Sequence, residues 1–385
     1  MKIAVIFGTR PEIIKLSPVI RALGKACSTN KSTAAKKSLA HSLDFFIIHT
    51  NQHYDKNMDA VFLKELKLPK AKYNLNIGSG THGNMTGRML IEVEKIFFKE
   101  KPDLLIVQGD TNTVLAVSLA ATKLHIPIAH VEAGLRSYSK IPEETNRVLT
   151  DRISDFCFAP TEKQKKILLK EGIPKKNIYV VGNTVVDAVI QNIEFSNKLF
   201  SKKKNKNLLL KKFDLKPKKY FLVTAHREEN VDKRNVMETI LKAISHIQKY
   251  HNLGAIFPMH PRTRQRIQDF KIKIPGKIKV TEPLGYLEML SLMENSLFIL
   301  TDSGGMQEEA CTLGIPCLTM RESTERPESI EVGANILVGT NLNKILASVP
   351  ETLKKLDSKG KLIKPWKNPF GDGKTGEKIV EILKK

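Results

Sequence analysis

Residues 104–136 read LLIVQGDTNTVLAVSLAATKLHIPIAHVEAGLR, and their pattern decides the fold. The apolar run Leu104–Val107 ends on Gln108-Gly109-Asp110, an Ala-rich helical stretch follows from Thr113 and breaks before Pro127, and a second run, Ile128–Val131, ends on Glu132. Runs that are apolar throughout, rather than alternating, mark strands buried on both faces, and two of them joined by a helix form a parallel βαβ unit. The same rhythm extends outward. Ile3–Phe7, Phe45–His49, Phe156–Ala159 and Tyr179–Val181 predict further strands, and Pro11 suits the first turn of a helix after the first of them.

The alternation pauses over Ser201–Lys219, a stretch with nine lysines and a single acid, Asp214. It restarts with Tyr220–Thr224, Ala255–Met259, Ile278–Thr281, Phe298–Leu300 and Pro316–Thr319, a second doubly wound unit of similar size. The expected division is a first domain over 1–190, a basic linker over 191–219 and a second domain over 220–365. The last amphipathic segment, inside 366–385 beyond the Pro365–Pro369 break, is expected to cross back onto the first domain. Between Lys25 and Ser42 small polar and basic residues predict a surface loop.

Composition agrees with two units. At 385 residues, 41% hydrophobic and 27% charged, the chain supplies cores for two domains of roughly 150 to 200 residues each. A net charge of +23 favours polyanionic partners, among them nucleic acid, anionic lipid and nucleotide-linked substrates. No apolar stretch approaches the ~20 residues of a membrane span. Cys27, Cys157, Cys311 and Cys317 are too few and scattered for a disulfide framework and form no C-x-x-C zinc pair, so a soluble chain in a reducing cytoplasm is expected.

In open parallel sheets ligands bind beyond the carboxyl ends of strands, which directs attention to the polar residues there. Gly8-Thr9-Arg10-Pro11-Glu12, with Lys15, places two cations at a strand-to-helix turn and suits phosphate, though neither a GxGxxG nor a P-loop pattern is present. Asp110, Glu132 and Glu143 follow successive elements and can supply an acid and a base from one residue type if crowding separates their protonation. Structural roles compete with that reading: Asp110 and Glu144 as helix N-caps, and Glu132 as the partner of Arg136 or Arg147. His226-Arg227 ends the first strand of the second domain and can meet an anion. Ser303-Gly304-Gly305 opens a helix with several free amides, the best diphosphate cradle in the chain, and Glu309 just beyond it can accept from a ribose diol.

Taken together, FGTRPE, QGDT, HVEAGLR, PEETNR, AHREEN, TDSGGMQEEA, RESTERPE and NPFGDG, in this order over most of the chain, closely resemble the non-hydrolysing UDP-N-acetylglucosamine 2-epimerase family. The resemblance implies an α/β fold of two Rossmann-like doubly wound domains facing a cleft, like GT-B glycosyltransferases, with the C-terminal helix returning to the first domain. It implies interconversion of UDP-N-acetylglucosamine and UDP-N-acetylmannosamine through 2-acetamidoglucal. By position, Asp110, Glu132, Glu143 and His226 match the essential carboxylates and histidine. Arg10, Lys15, Arg136, Arg227, Ser303, Gly304, Gly305 and Arg326 match groups that hold UDP or shape its site, and Glu309 matches the ribose-binding glutamate. Gln52 and His53 match a pair that binds a second, activating UDP-sugar, and Met289 stands where some members carry an aromatic residue near the uracil. No metal or redox cofactor, no nucleic acid and no membrane enter this reading, and a homodimer is expected. A hydrolysing 2-epimerase and a GT-B glycosyltransferase remain alternatives, as does a nucleic-acid binder, for which no recognition motif is present.

Overall fold

In the computed structural model, which describes residues 1–32, 43–51, 63–138, 140–200 and 208–385, the apolar runs become two sheets. The first contains β1 (Lys2–Phe7), β2 (Asp44–His49), β3 (Tyr73–Asn74), β4 (Leu104–Gln108), β5 (Ile128–Val131), β6 (Phe156–Ala159) and β7 (Ile178–Val180), ordered β3-β2-β1-β4-β5-β6-β7. The second contains β8 (Tyr220–Thr224), β9 (Gly254–Pro258), β10 (Ile278–Thr281), β11 (Ile299–Thr301), β12 (Cys317–Thr319) and β13 (Asn335–Leu337), ordered β10-β9-β8-β11-β12-β13. All pairings are parallel. Each sheet therefore has a topological switch point, between β1 and β4 and between β8 and β11, where the loops after two neighbouring strands part to opposite faces and leave room at the strand ends. Two edge strands, β3 and β13, were not predicted.

The chain divides into two compact units, Met1–Ala188 with Phe370–Lys385, and Val189–Pro369, and the division falls inside the helix Thr184–Phe200. In the first unit, β1 is buried from Ile3 to Phe7 and runs into a turn that only glycine can occupy. A Cβ on Gly8 would lie 2.2 Å from Thr113 Oγ1 and 2.3 Å from Thr50 Oγ1, two hydroxyls that hydrogen-bond each other at 2.8 Å. The turn after β1, the residue that follows β2 and the start of the helix Asn112–Lys123 meet at that point.

The helix after this turn runs Arg10–Ser32 and contains Pro18, whose nitrogen cannot donate to the Ile14 carbonyl. Ser17 Oγ donates to that carbonyl instead, at 2.8 Å. The helix corrects the expected loop over Lys25–Ser42: residues through Ser32 are helical, with Ala22, Leu23 and Ala26 buried, and 33–42 lie outside the described residues. Small polar residues only weakly oppose a helix whose inner face is already packed. The C-terminal helix Thr375–Leu383 packs on this first helix, with Ile379, Val380 and Leu383 buried. A Cβ on Gly376 would stand 2.8 Å from the Pro18 carbonyl group, and the Gly376 amide donates to Asp187 at 2.8 Å.

In the second unit the stretch read as a linker is partly structural. Residues 191–200 continue a helix, a five-residue helix forms at Leu208–Lys212, and Leu209, Leu210 and Leu215 are buried with Tyr220, Leu222 and Ile299. Residues 201–207 lie outside the described residues. Among the described residues no helix is long and apolar enough to cross a membrane.

Candidate active site

At the carboxyl end of the first unit's sheet, the turn after β4 is built on Gly109, whose φ of +83° suits glycine. Thr111 caps the helix Asn112–Lys123, which corrects the reading of Asp110 as the cap. Asp110 is free to turn outward and forms an ion pair with Arg147, while Asn146 Nδ2 donates to the Asp110 carbonyl at 2.9 Å. Arg147 and Asn146 both come from the helix Pro142–Ile153, four and three residues after Glu143 and so one turn along the same helix. Glu143 itself lies exposed on the first turn. Glu144 turns back to accept from the Ser137 amide at 2.9 Å and from Arg147 at 3.1 Å.

Glu132, after β5, has φ +72°, an uncommon conformation for a side chain with a Cβ and one that recurs at functional sites. Its carboxylate is 3% exposed and is held by Lys15 Nζ at 2.7 Å, by Asn183 Nδ2 at 3.1 Å and by the Gln108 amide. The partner is Lys15, neither Arg136 nor Arg147. Arg136 is likewise corrected: its side chain is 1% exposed, paired with Asp151 at 2.8 Å and Glu171 at 2.5 Å, and is enclosed rather than offered to a ligand. Burial opposes its charge, but the two carboxylates outweigh that and hold the guanidinium charged above its ordinary range. Arg10, at the start of the first helix, is partly exposed.

Sequence reading missed Glu12. Its carboxyl is buried and accepts from the Gly8 amide at 3.0 Å, the Thr9 amide at 2.7 Å, Thr9 Oγ1 at 2.8 Å and Thr111 Oγ1 at 2.9 Å, so it ties the turn carrying Arg10 to the turn carrying Asp110. Burial pushes its pKa up to about 7 against the pull of these hydrogen bonds. The only signal was its place one turn into a helix, where a carboxylate folds back to cap the amides before it.

The second unit brings several polar and cationic side chains to its own switch point. His226, after β8, sets Nδ1 2.9 Å from Oδ1 of Asp302, which follows the neighbouring strand β11. Asp302 is fully buried, and its other oxygen accepts from the backbone amides of His226 and Arg227, both at 2.9 Å, and from Asn230 Nδ2 at 3.1 Å. Burial works against the ionised form, yet His226 and these amides outweigh it and hold the carboxyl below its ordinary range. Nothing local in the sequence marks Asp302 for this role, because its partner lies 76 residues away.

Ser303 precedes the helix Gly304–Leu313. A Cβ on Gly304 would lie 3.0 Å from an Arg326 guanidinium nitrogen, so glycine here lets that cation rest on the helix N-terminus, while Gly305 faces open space. Arg326 pairs with Glu308 at 2.7 Å, and Arg321 with Glu325 at 2.8 Å. Glu325 is pulled down to about 2 because, despite burial, Arg321 and Arg326 flank it. Arg227 is pushed below its ordinary range first by burial and then by the charge of Arg321, a crowding of cations that an anion would relieve. Glu309 stands partly exposed on the same helix. A cavity of about 220 Å³ lined by His226, His260, Leu284, Met289, Ser303 and Met306 opens beside these groups. Gln52 and His53 lie outside the described residues.

Comparison with known proteins follows the same lines. A family model described as UDP-N-acetylglucosamine 2-epimerase matches residues 36–384. The chain is 53% identical over 388 residues to the UDP-N-acetylglucosamine 2-epimerase of Methanocaldococcus jannaschii, covering 100% of this chain and 99% of that protein. It is 40% identical over 388 residues, with 100% of both chains covered, to the UDP-2,3-diacetamido-2,3-dideoxy-D-glucuronate 2-epimerase of Pseudomonas aeruginosa. The crystal structure of the M. jannaschii enzyme in complex with UDP-GlcNAc and UDP superposes with a TM-score of 0.84, covering 100% of this chain and 99% of that one.

Proposed function

The chain belongs to the UDP-N-acetylglucosamine 2-epimerase family, and from that premise we propose that it interconverts UDP-N-acetylglucosamine and UDP-N-acetylmannosamine without net hydrolysis. The proton on carbon 2 is not beside a carbonyl that could stabilise a carbanion, so its removal is coupled to departure of UDP. A base takes the proton, the C–H electron pair becomes the C1=C2 bond, and the C1–O bond breaks with its pair leaving on the diphosphate. Return of a proton to the other face of carbon 2 in 2-acetamidoglucal, with re-addition of the diphosphate oxygen to carbon 1, completes the inversion.

The observation that carries this reading is the placement of Asp110 and Glu132 at the carboxyl ends of the adjacent strands β4 and β5, each with its own cation, Arg147 and Lys15. Two carboxylates so held can serve as acid and base. Glu143 and Arg10 join them at the same end of the sheet. In the second unit Arg227, Arg326 and the amides opened by Ser303, Gly304 and Gly305 receive the departing diphosphate. His226, oriented by Asp302, stabilises its charge. Glu309 takes the ribose hydroxyls, and the cavity lined by Leu284 and Met289 takes the pyrimidine.

The test is proton NMR of the enzyme with UDP-N-acetylglucosamine in deuterated water. UDP-N-acetylmannosamine bearing deuterium at carbon 2 is expected. Free N-acetylmannosamine with UDP would assign the hydrolysing route. Exchange seen only with UDP-2,3-diacetamido-2,3-dideoxy-D-glucuronate would move the substrate to that of the Pseudomonas relative.

A further inference from the structure

The turn that presents Asp110 is fixed by hydrogen bonds rather than by packing. A Cβ on Gly109 would meet nothing within 4 Å, and glycine, which has none, takes the positive φ of this turn without steric cost. Besides the Thr111 hydroxyl on Glu12, three contacts hold it. The Gly109 amide donates to Val131 at 3.1 Å, Asn146 donates to the Asp110 carbonyl at 2.9 Å, and the Gly109 carbonyl oxygen lies 2.8 Å from Nε2 of His130.

His130 is wholly buried on β5. A carbonyl oxygen only accepts, so Nε2 carries the proton of that bond. Nδ1 lies 2.7 Å from Asp151 Oδ1, and the other oxygen of Asp151 receives the Gly134 amide at 3.1 Å and Arg136 at 2.8 Å. Asp151 sits on the helix Pro142–Ile153, which also supplies Asn146 and Arg147 to Asp110. One imidazole thus connects the turn before Asp110 to the helix whose side chains grip it.

We propose that His130 is a positioning residue for the reaction, acting through Nε2 on the Gly109 carbonyl to set the direction of the Asp110 carboxylate. The assignment rests on the acid/base role of Asp110. Misplacement of a reacting group by about 1 Å can cost about 100-fold in rate.

The two ring nitrogens can be tested apart. The side-chain nitrogen of glutamine overlays Nε2 and that of asparagine overlays Nδ1, so His130→Gln keeps the donor to Gly109 and His130→Asn keeps the donor to Asp151. Steady-state epimerisation of UDP-N-acetylglucosamine is expected to show kcat within about threefold of wild type for His130→Gln and about 100-fold lower for His130→Asn, with KM little changed in both. Calorimetric Kd for UDP is expected to match wild type. Equal kcat for the two variants, a better asparagine variant, or failure of either to fold would overturn the proposal and leave His130 a structural member of the Asp151 network. Inactivity of the wild type, or full activity of Asp110→Asn in the same assay, would instead overturn the function on which it rests.

Discussion

Glu12 gives a sharp stability test. Its folded pKa of about 7 lies above the ordinary 4.5, because burial outweighs the four hydrogen bonds it accepts. A raised carboxyl pKa means that between these values the folded chain binds more protons than the unfolded chain, so stability falls as pH rises. The contribution is fully present below about 4.5 and is lost as pH passes through about 7. At ~1.4 kcal/mol per pH unit, the gap corresponds to about 3 kcal/mol. Glu12→Gln imitates the protonated form: its oxygen can accept from the Gly8 and Thr9 amides while its nitrogen donates to Thr111 Oγ1. The variant is therefore expected to gain about 3 kcal/mol over wild type between pH 5 and pH 8, or about 9 °C in Tm for a unit of roughly 200 residues. Thermal unfolding of both proteins followed by circular dichroism across this range measures it. Parallel Tm curves would refute the reasoning, since they would mean that the buried carboxyl titrates alike in the folded and unfolded chains.

Three further outcomes are expected. Asp110→Asn, Glu132→Gln and His226→Ala should fold but each lose at least about 100-fold in turnover, as removal of acid/base or charge-stabilising groups does; wild-type rates in coupled assays for all three would sink the assignment. Asp302→Ala strands His226 Nδ1 and the donors of His226, Arg227 and Asn230 in a buried site, and should cost about 3 kcal/mol or more by chemical denaturation together with a fall in kcat. Gly8→Ala drives a methyl group into Thr50 and Thr113 and should destabilise the first unit by about 2 kcal/mol, whereas an unchanged Tm would show that these hydroxyls move aside freely.

The sequence by itself determined the parallel wiring of both units and directed the search for a site to the carboxyl end of each sheet. Uninterrupted apolar runs such as Leu104–Val107 and Phe298–Leu300 are buried on both faces, and that demand is local, written in consecutive residues. It also supplied Asp110, Glu132, His226 and the Ser303-Gly304-Gly305 turn, each because it follows such a run. Local pattern failed where packing overrode it: the helix through Lys25–Ser32 is held by Ala22, Leu23 and Ala26 against the body of its unit, and Leu209 and Leu210 fill a core amid a lysine-rich stretch.

Only the tertiary structure decided the pairings. Lys15 meets Glu132 across 117 residues, Arg147 meets Asp110 across 37, and Asp302 meets the His226 amide across 76. Arg136, four residues beyond Glu132 in the same motif, is instead enclosed by Asp151 and Glu171. An ion pair depends on which strand ends become neighbours and which way each side chain leaves its turn. Strand adjacency at a switch point joins residues far apart in the chain, and no periodicity along the sequence encodes it.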